Sequence, residues 1–207
     1  MKNDRRFMLS KWVLVMTALL LAGCGRTQPV QFYTLSSLNG MQSPSSDLSV
    51  GEEVAIGVGP VEFPELLNKP QIVTRTGSHK LHVDEFHRWG SPLDEDFTSV
   101  LAENLSTLLA TQRVSVFPWG GYFRPAYQVV MNVQRFDGQP GGYVTLNATW
   151  TVLGQDAYEL ATRRSVIEEQ ASGGGYESLV SAKSHALSIL SREIAEEIHR
   201  LESKGTY

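Results

Sequence analysis

From Tyr143 to Leu153 the chain alternates: Val144, Leu146, Ala148, Trp150 and Val152 are apolar, while Thr145, Asn147, Thr149 and Thr151 are polar. A period of two belongs to a strand with one face on a core and the other on a semi-polar surface. Such a strand needs neighbours along its edges and a layer over its apolar face. The flanking sequence offers the neighbours. Ala126–Phe136 reads as a strand before the turn residues Asp137-Gly138 and Pro140-Gly141-Gly142, and Glu159–Glu169 as one after Gly154-Gln155-Asp156. Three consecutive strands therefore form a meander.

Two helices supply the covering layer. Ser91 is placed to cap the first, Pro92 stands at its first position, and Asp94, Glu95 and Asp96 load its first turn with the charge that a helix N-terminus favours. Leu93, Phe97, Val100, Leu101, Leu105, Leu108 and Leu109 recur at helical spacing, with the end near Thr111. After Gly173-Gly174-Gly175 a second pattern runs from Tyr176 to Ser203, its stripe being Leu179, Val180, Leu187, Leu190, Ile194, Ile198 and Leu201. Ahead of the first helix, Val54–Val58 is a strand closed by Gly59-Pro60, Gln71–Arg75 and Lys80–Val83 pair across Gly77-Ser78, and Val114–Phe117 is a short strand after that helix. The order predicts an α/β fold: a mixed β-sheet sandwich covered by two main helices, in a single domain over residues 52–204.

The N-terminus reads differently. Met1–Lys11 is basic, Trp12–Leu20 is an apolar stretch of signal-peptide length, and Leu21-Ala22-Gly23 leads into Cys24, the one cysteine of the chain. Small residues before a lone thiol resemble a bacterial lipobox. Cleavage is expected between Gly23 and Cys24, with covalent lipid on Cys24 as the membrane anchor and no other cofactor. Acyl chains give durable anchoring because each buried CH₂ adds about 0.8 kcal/mol. Gly25, in place of the Asp associated with inner-membrane retention, favours the outer membrane, periplasmic face. Residues 24–51 read as a lipidated, flexible tether interrupted by a strand at Gln31–Leu35. Ser, Gly, Asn and Pro fill Ser36–Gly51, and the whole tether would reach about 25–30 Å r.m.s..

Charge and composition then exclude partners and chemistries. The chain has 18 basic and 22 acidic residues; removing residues 1–23, with four basic and one acidic, leaves 14 against 21, a net charge of −7. An acidic body without a Lys/Arg run argues against nucleic acid and against electrostatic docking on anionic lipid. His79, His82 and His87 lie near Asp84 and Glu85, but at no metal-ligand spacing. Gly57-x-Gly59 reads as a turn, Gly173–Gly175 lacks the Lys-Ser/Thr of a phosphate loop, and no nucleophile elbow occurs. Catalysis has no candidate, so the chain is not expected to be an enzyme. Aromatics in or beside loops are the remaining signal, densest at Phe117-Pro118-Trp119-Gly120-Gly121-Tyr122-Phe123. Interfaces are enriched in such residues, and Trp89, Trp119, Tyr122 and Phe123 are the candidate partner-binding residues.

Three segments carry a resemblance: Phe32-Tyr33-Thr34-Leu35 after the lipobox, the stretch Pro64–Arg75 with the pattern P-x-x-L-x-x-P-Q-I-V-x-R, and Arg88-Trp89-Gly90-Ser91-Pro92-Leu93 at the helix entry. Together they resemble the PqiC/YmbA family, also described as ABC-type transport auxiliary lipoproteins. The resemblance implies an outer-membrane lipoprotein of an intermembrane lipid-transport or membrane-integrity system. Its partners would be a PqiB-like MCE-domain tunnel protein and, indirectly, a PqiA-like inner-membrane protein, with the lipoprotein forming a homo-oligomeric ring. An auxiliary lipoprotein binding a lipid or small ligand in an apolar pocket is the alternative.

Overall fold

The computed structural model describes Trp12, residues 28–38 and residues 48–205. The chain runs β1 (Gln31–Tyr33), β2 (Ile56–Glu62), β3 (Gln71–Gly77), β4 (Lys80–Trp89), α1 (Leu93–Leu109), β5 (Val114–Val116), β6 (Tyr127–Gly138), β7 (Tyr143–Leu153), β8 (Glu159–Gln170) and α2 (Tyr176–Ser203). Two mixed sheets form, a three-stranded one in the order β1-β4-β3 and a five-stranded one in the order β5-β2-β6-β7-β8. The meander β6-β7-β8 is antiparallel, whereas β2 lies parallel to both β5 and β6. This is the expected α/β architecture.

The alternation in β7 does what it predicts: Val144, Leu146, Ala148, Trp150 and Val152 are all buried. Both helices lay their apolar stripes against the sheet and against each other, and every stripe residue predicted for them is buried. Phe97 of α1 meets Phe136 of β6 edge-on at 5.4 Å and Phe63 at 5.0 Å. Edge-to-face contacts of this kind add about 0.5–1.5 kcal/mol beyond area burial.

Four local expectations change. Pro92, not Ser91, is the N-cap of α1, because the Pro92 carbonyl accepts the first helical bond, from Asp96 at 3.0 Å. Asp94 then caps the Glu95 amide with its own carboxylate at 2.9 Å. The helix stops at Leu109 because Ala110 turns left-handed, φ 53°. Strand β2 does not close at Gly59-Pro60 but continues to Glu62, the register shifting between Val58 and Val61 where Gly59 takes φ +107°. Strand β4 extends to Trp89 through an irregular stretch, where the Asp84 carboxylate accepts from the amides of Phe86 at 2.8 Å and His87 at 3.2 Å.

The largest departure is the tether. Tyr33 pairs with Trp89 in a parallel ladder, Leu35 is buried, and the amides of Leu35, Ser36 and Leu38 donate to Asp96 (2.8 Å), Ser184 (3.0 Å) and Asn104 (2.8 Å). Residues 31–38 thus strap across α1 and α2 as part of the folded body. Further on, Val50 donates to the carbonyl of Leu109 at 3.1 Å. The body begins at β1, not at residue 52. Among the described residues, no helix is long and apolar enough to cross a membrane.

Candidate docking surface

Between β5 and β6 the chain makes an aromatic loop over the outer face of β2. Ile56 and Val58 point into the core, so Gly57 points outward. A Cβ at position 57 would sit 2.6 Å from Cη2 of Trp119, which means the indole lies where a side chain would stand. Trp119 is held there edge-on to Phe117 at 5.4 Å and to Phe123 at 5.6 Å. The packing leaves two rings outward, Phe117 at 48% exposure and Tyr122 at 94%. A groove of about 410 Å³ separates this loop from α1; Pro60, Val61, Val116 and Phe117 line one side, Asp94 and Glu95 the other. A rigid apolar platform beside an acidic rim suits a protein partner's anchoring side chain.

The candidates divide accordingly. Tyr122 is the outermost ring of the loop; Trp119 and Phe123 are half-buried supports beneath it. Trp89 is not on this surface and cannot be an anchor, since it is 4% exposed and pairs with β1. Gly23 and Cys24 lie outside the described residues.

Trp89 belongs to a polar cluster that sequence reasoning missed. Lys183 of α2 is 1% exposed; its Nζ donates to the Phe136 carbonyl at 2.7 Å and sits 4.3 Å from the Phe136 ring centroid and 5.5 Å from that of Trp89. Burial pulls its ammonium down to about 7, with the Asp137 charge acting the other way. Asp137 is itself buried, and burial pushes its carboxyl up. The hydrogen bonds from Arg75 (2.7 Å) and Arg135 (2.8 Å) prevail and hold it below the usual value. A lysine of lowered pKa has the electronics of a nucleophile, but this one is enclosed by two rings and a carbonyl. Its role is structural.

The three histidines go separate ways. His79 is exposed at the β3–β4 turn, His82 lies 3.9 Å from Asp84, and His87 stacks on Tyr176 at 3.9 Å. Among the described residues no group of three or more His, Cys, Asp or Glu could hold a metal. Tyr33 lies 2.8 Å from His87 Nδ1, and Tyr176 donates to Asp84 at 3.1 Å. Burial and the neighbouring Asp84 charge push the Tyr176 hydroxyl up to about 12. These contacts pin β1 and β4 to the start of α2.

The chain belongs to the family of ABC-type transport auxiliary lipoprotein components, whose model matches residues 33–195. It is similar to the intermembrane transport lipoprotein PqiC of Escherichia coli strain K12 and of Shigella flexneri, at 29% identity over 197 residues in each case, covering 93% of this chain and 100% of theirs. Solved structures share the fold. A Xanthomonas campestris protein of family DUF330 superimposes with TM-score 0.69 at 16% identity, covering 86% of this chain and all of that one. An uncharacterized protein superimposes with TM-score 0.66 at 22% identity, covering 83% and 99%.

Proposed function

We propose that this chain is the outer-membrane lipoprotein subunit of an intermembrane lipid-transport, membrane-integrity system, docking an MCE-domain tunnel protein of the PqiB type to the outer membrane. A PqiA-like inner-membrane protein would stand at the far end of the conduit, and several copies of the chain would ring its outer mouth. Signal cleavage before Cys24 and acylation of its sulfur would anchor each copy at the periplasmic face. The observation that carries the docking role is the loop Val116–Phe123, whose rings are splayed outward on a glycine-seated indole. Full-length likeness to PqiC supports the transport context.

Binding of the purified tunnel component to the lipidated chain tests this. Phe117→Ala with Tyr122→Ala removes two exposed rings and is expected to weaken binding by about thirtyfold or more, since even one interface anchor carries upward of about 2 kcal/mol. Unchanged affinity in a folded double variant rejects the loop as the docking surface. The alternative, a ligand-carrying lipoprotein, has a groove of about 820 Å³ between β1 and the start of α2 in its favour. That groove is open, and polar Gln31, Thr34, Ser36, Glu177 and Ser181 line it together with Phe32, Tyr33, Tyr176 and Val180. Co-purification of lipid lost on narrowing it with Ser181→Trp would favour the alternative.

A further inference from the structure

The strapping of residues 31–38 changes where the body can sit. Only seven Cα–Cα steps, across six intervening residues, separate Cys24 from Gln31. Fully extended they reach at most about 25 Å, and as a flexible chain about 15 Å r.m.s.. A lipid-anchored body on so short a lead presents the β1 end to the bilayer.

That end is apolar. In β1, Tyr33 turns inward to His87 and Tyr176. Phe32, one residue before, points to the opposite face and is 68% exposed. It pairs with Arg88 on β4. Val30 and Phe86 immediately precede the paired residues Gln31 and His87 in this parallel ladder, and both are exposed, at 42% and 36%. Three exposed apolar side chains thus gather where the chain leaves for its anchor, on a protein whose sequence is otherwise acidic.

We infer that Val30, Phe32 and Phe86 form a membrane-contacting patch, which dips into the interface of the bilayer carrying the acyl chains and fixes the orientation of the body. The occupant is lipid and not protein because the six-residue lead leaves the patch little freedom to leave the headgroup region. Apolar burial and not charge drives the contact, as for an interfacial amphipathic surface. The inference rests on the proposed acylation of Cys24.

The test uses the full, lipidated chain in vesicles of phosphatidylethanolamine and phosphatidylglycerol. With Cys24 consumed as a thioether, Phe32→Cys supplies the one free thiol for an environment-sensitive fluorophore; Val30→Cys is the second variant should the first fail to fold. Tyr158→Cys, on the β7–β8 turn of the other sheet, is the reference. The expected result is a blue shift and loss of emission with nitroxide lipid at the headgroup–acyl boundary for labels at 32 or 30, and neither for the label at 158. Equal responses at 32 and 158 in an acylated chain overturn the patch and leave the anchor standing. A mass spectrum showing no acyl groups on residue 24 overturns both.

Discussion

Lys183 couples the stability of the fold to pH. It is drawn down to about 7 in the fold from an ordinary 10.5. Between those values the unfolded chain holds one proton more than the folded one, so stability rises with pH across that window, by up to about 1.4 kcal/mol per unit. Lys183→Met keeps the length and apolar stem but removes the titration. Urea unfolding at pH 7 and pH 9 is expected to show the wild type more stable at pH 9 and the variant flat. Asp137 also makes stability rise with pH, in an acid window and through a favourable interaction of its charged form. A carboxyl held below its unfolded value of 3.8 stabilises the fold above that value and loses the contribution as pH falls through the folded one. Asp137→Asn leaves Arg75 and Arg135 without their shared carboxylate and should cost about 3 kcal/mol at pH 7, with much of the wild type's acid sensitivity gone. Periodicity points to neither role, since a stripe search passes over a polar side chain. Yet Val180, Lys183 and Leu187 share one helical face, and a lysine at such a spacing is the signal that could have been read. Trp89 misled for a related reason, because a tryptophan beside a Gly-Ser-Pro turn resembles a loop aromatic until its strand partner is known.

The elements with long, regular patterns were legible: α1, α2 and the β6-β7-β8 meander follow from spacing because each buries a face along many residues. In the N-terminal strap the strand at Gln31–Tyr33 was legible, but its attachment to the body was not. The strap's three amides find Asp96, Ser184 and Asn104, between 61 and 148 positions away in the chain, and no local pattern encodes such partners. Asp96 bonds the Leu35 amide and the Thr34 hydroxyl together. Asp96→Ala should therefore free the strap at a cost of about 1–3 kcal/mol. Hydrogen exchange is expected to quicken at Leu35 and Ser36 while Val129 in β6 stays protected; uniform quickening would mean that the strap and the sheet open as one unit. The aromatic loop has its own sequence determinant in Gly57. Gly57→Ala drives a methyl into the Trp119 ring and should cost about 1–3 kcal/mol, with a red-shifted indole emission as the indole lifts toward water.

Taken whole, the molecule has a closed core, a strapped N-terminal end and an aromatic loop, and the family to which it belongs sets that body in transport as a lipoprotein component. The proposed docking loop can be tested in the cell. Replacing Tyr122 with a photo-cross-linking residue in the full chain measures it most directly. The account predicts that light joins the chain to the MCE-domain tunnel protein from position 122 and not from Val166, an exposed residue on the outer face of β8. Cross-links to the tunnel protein from 166 and none from 122 would contradict it.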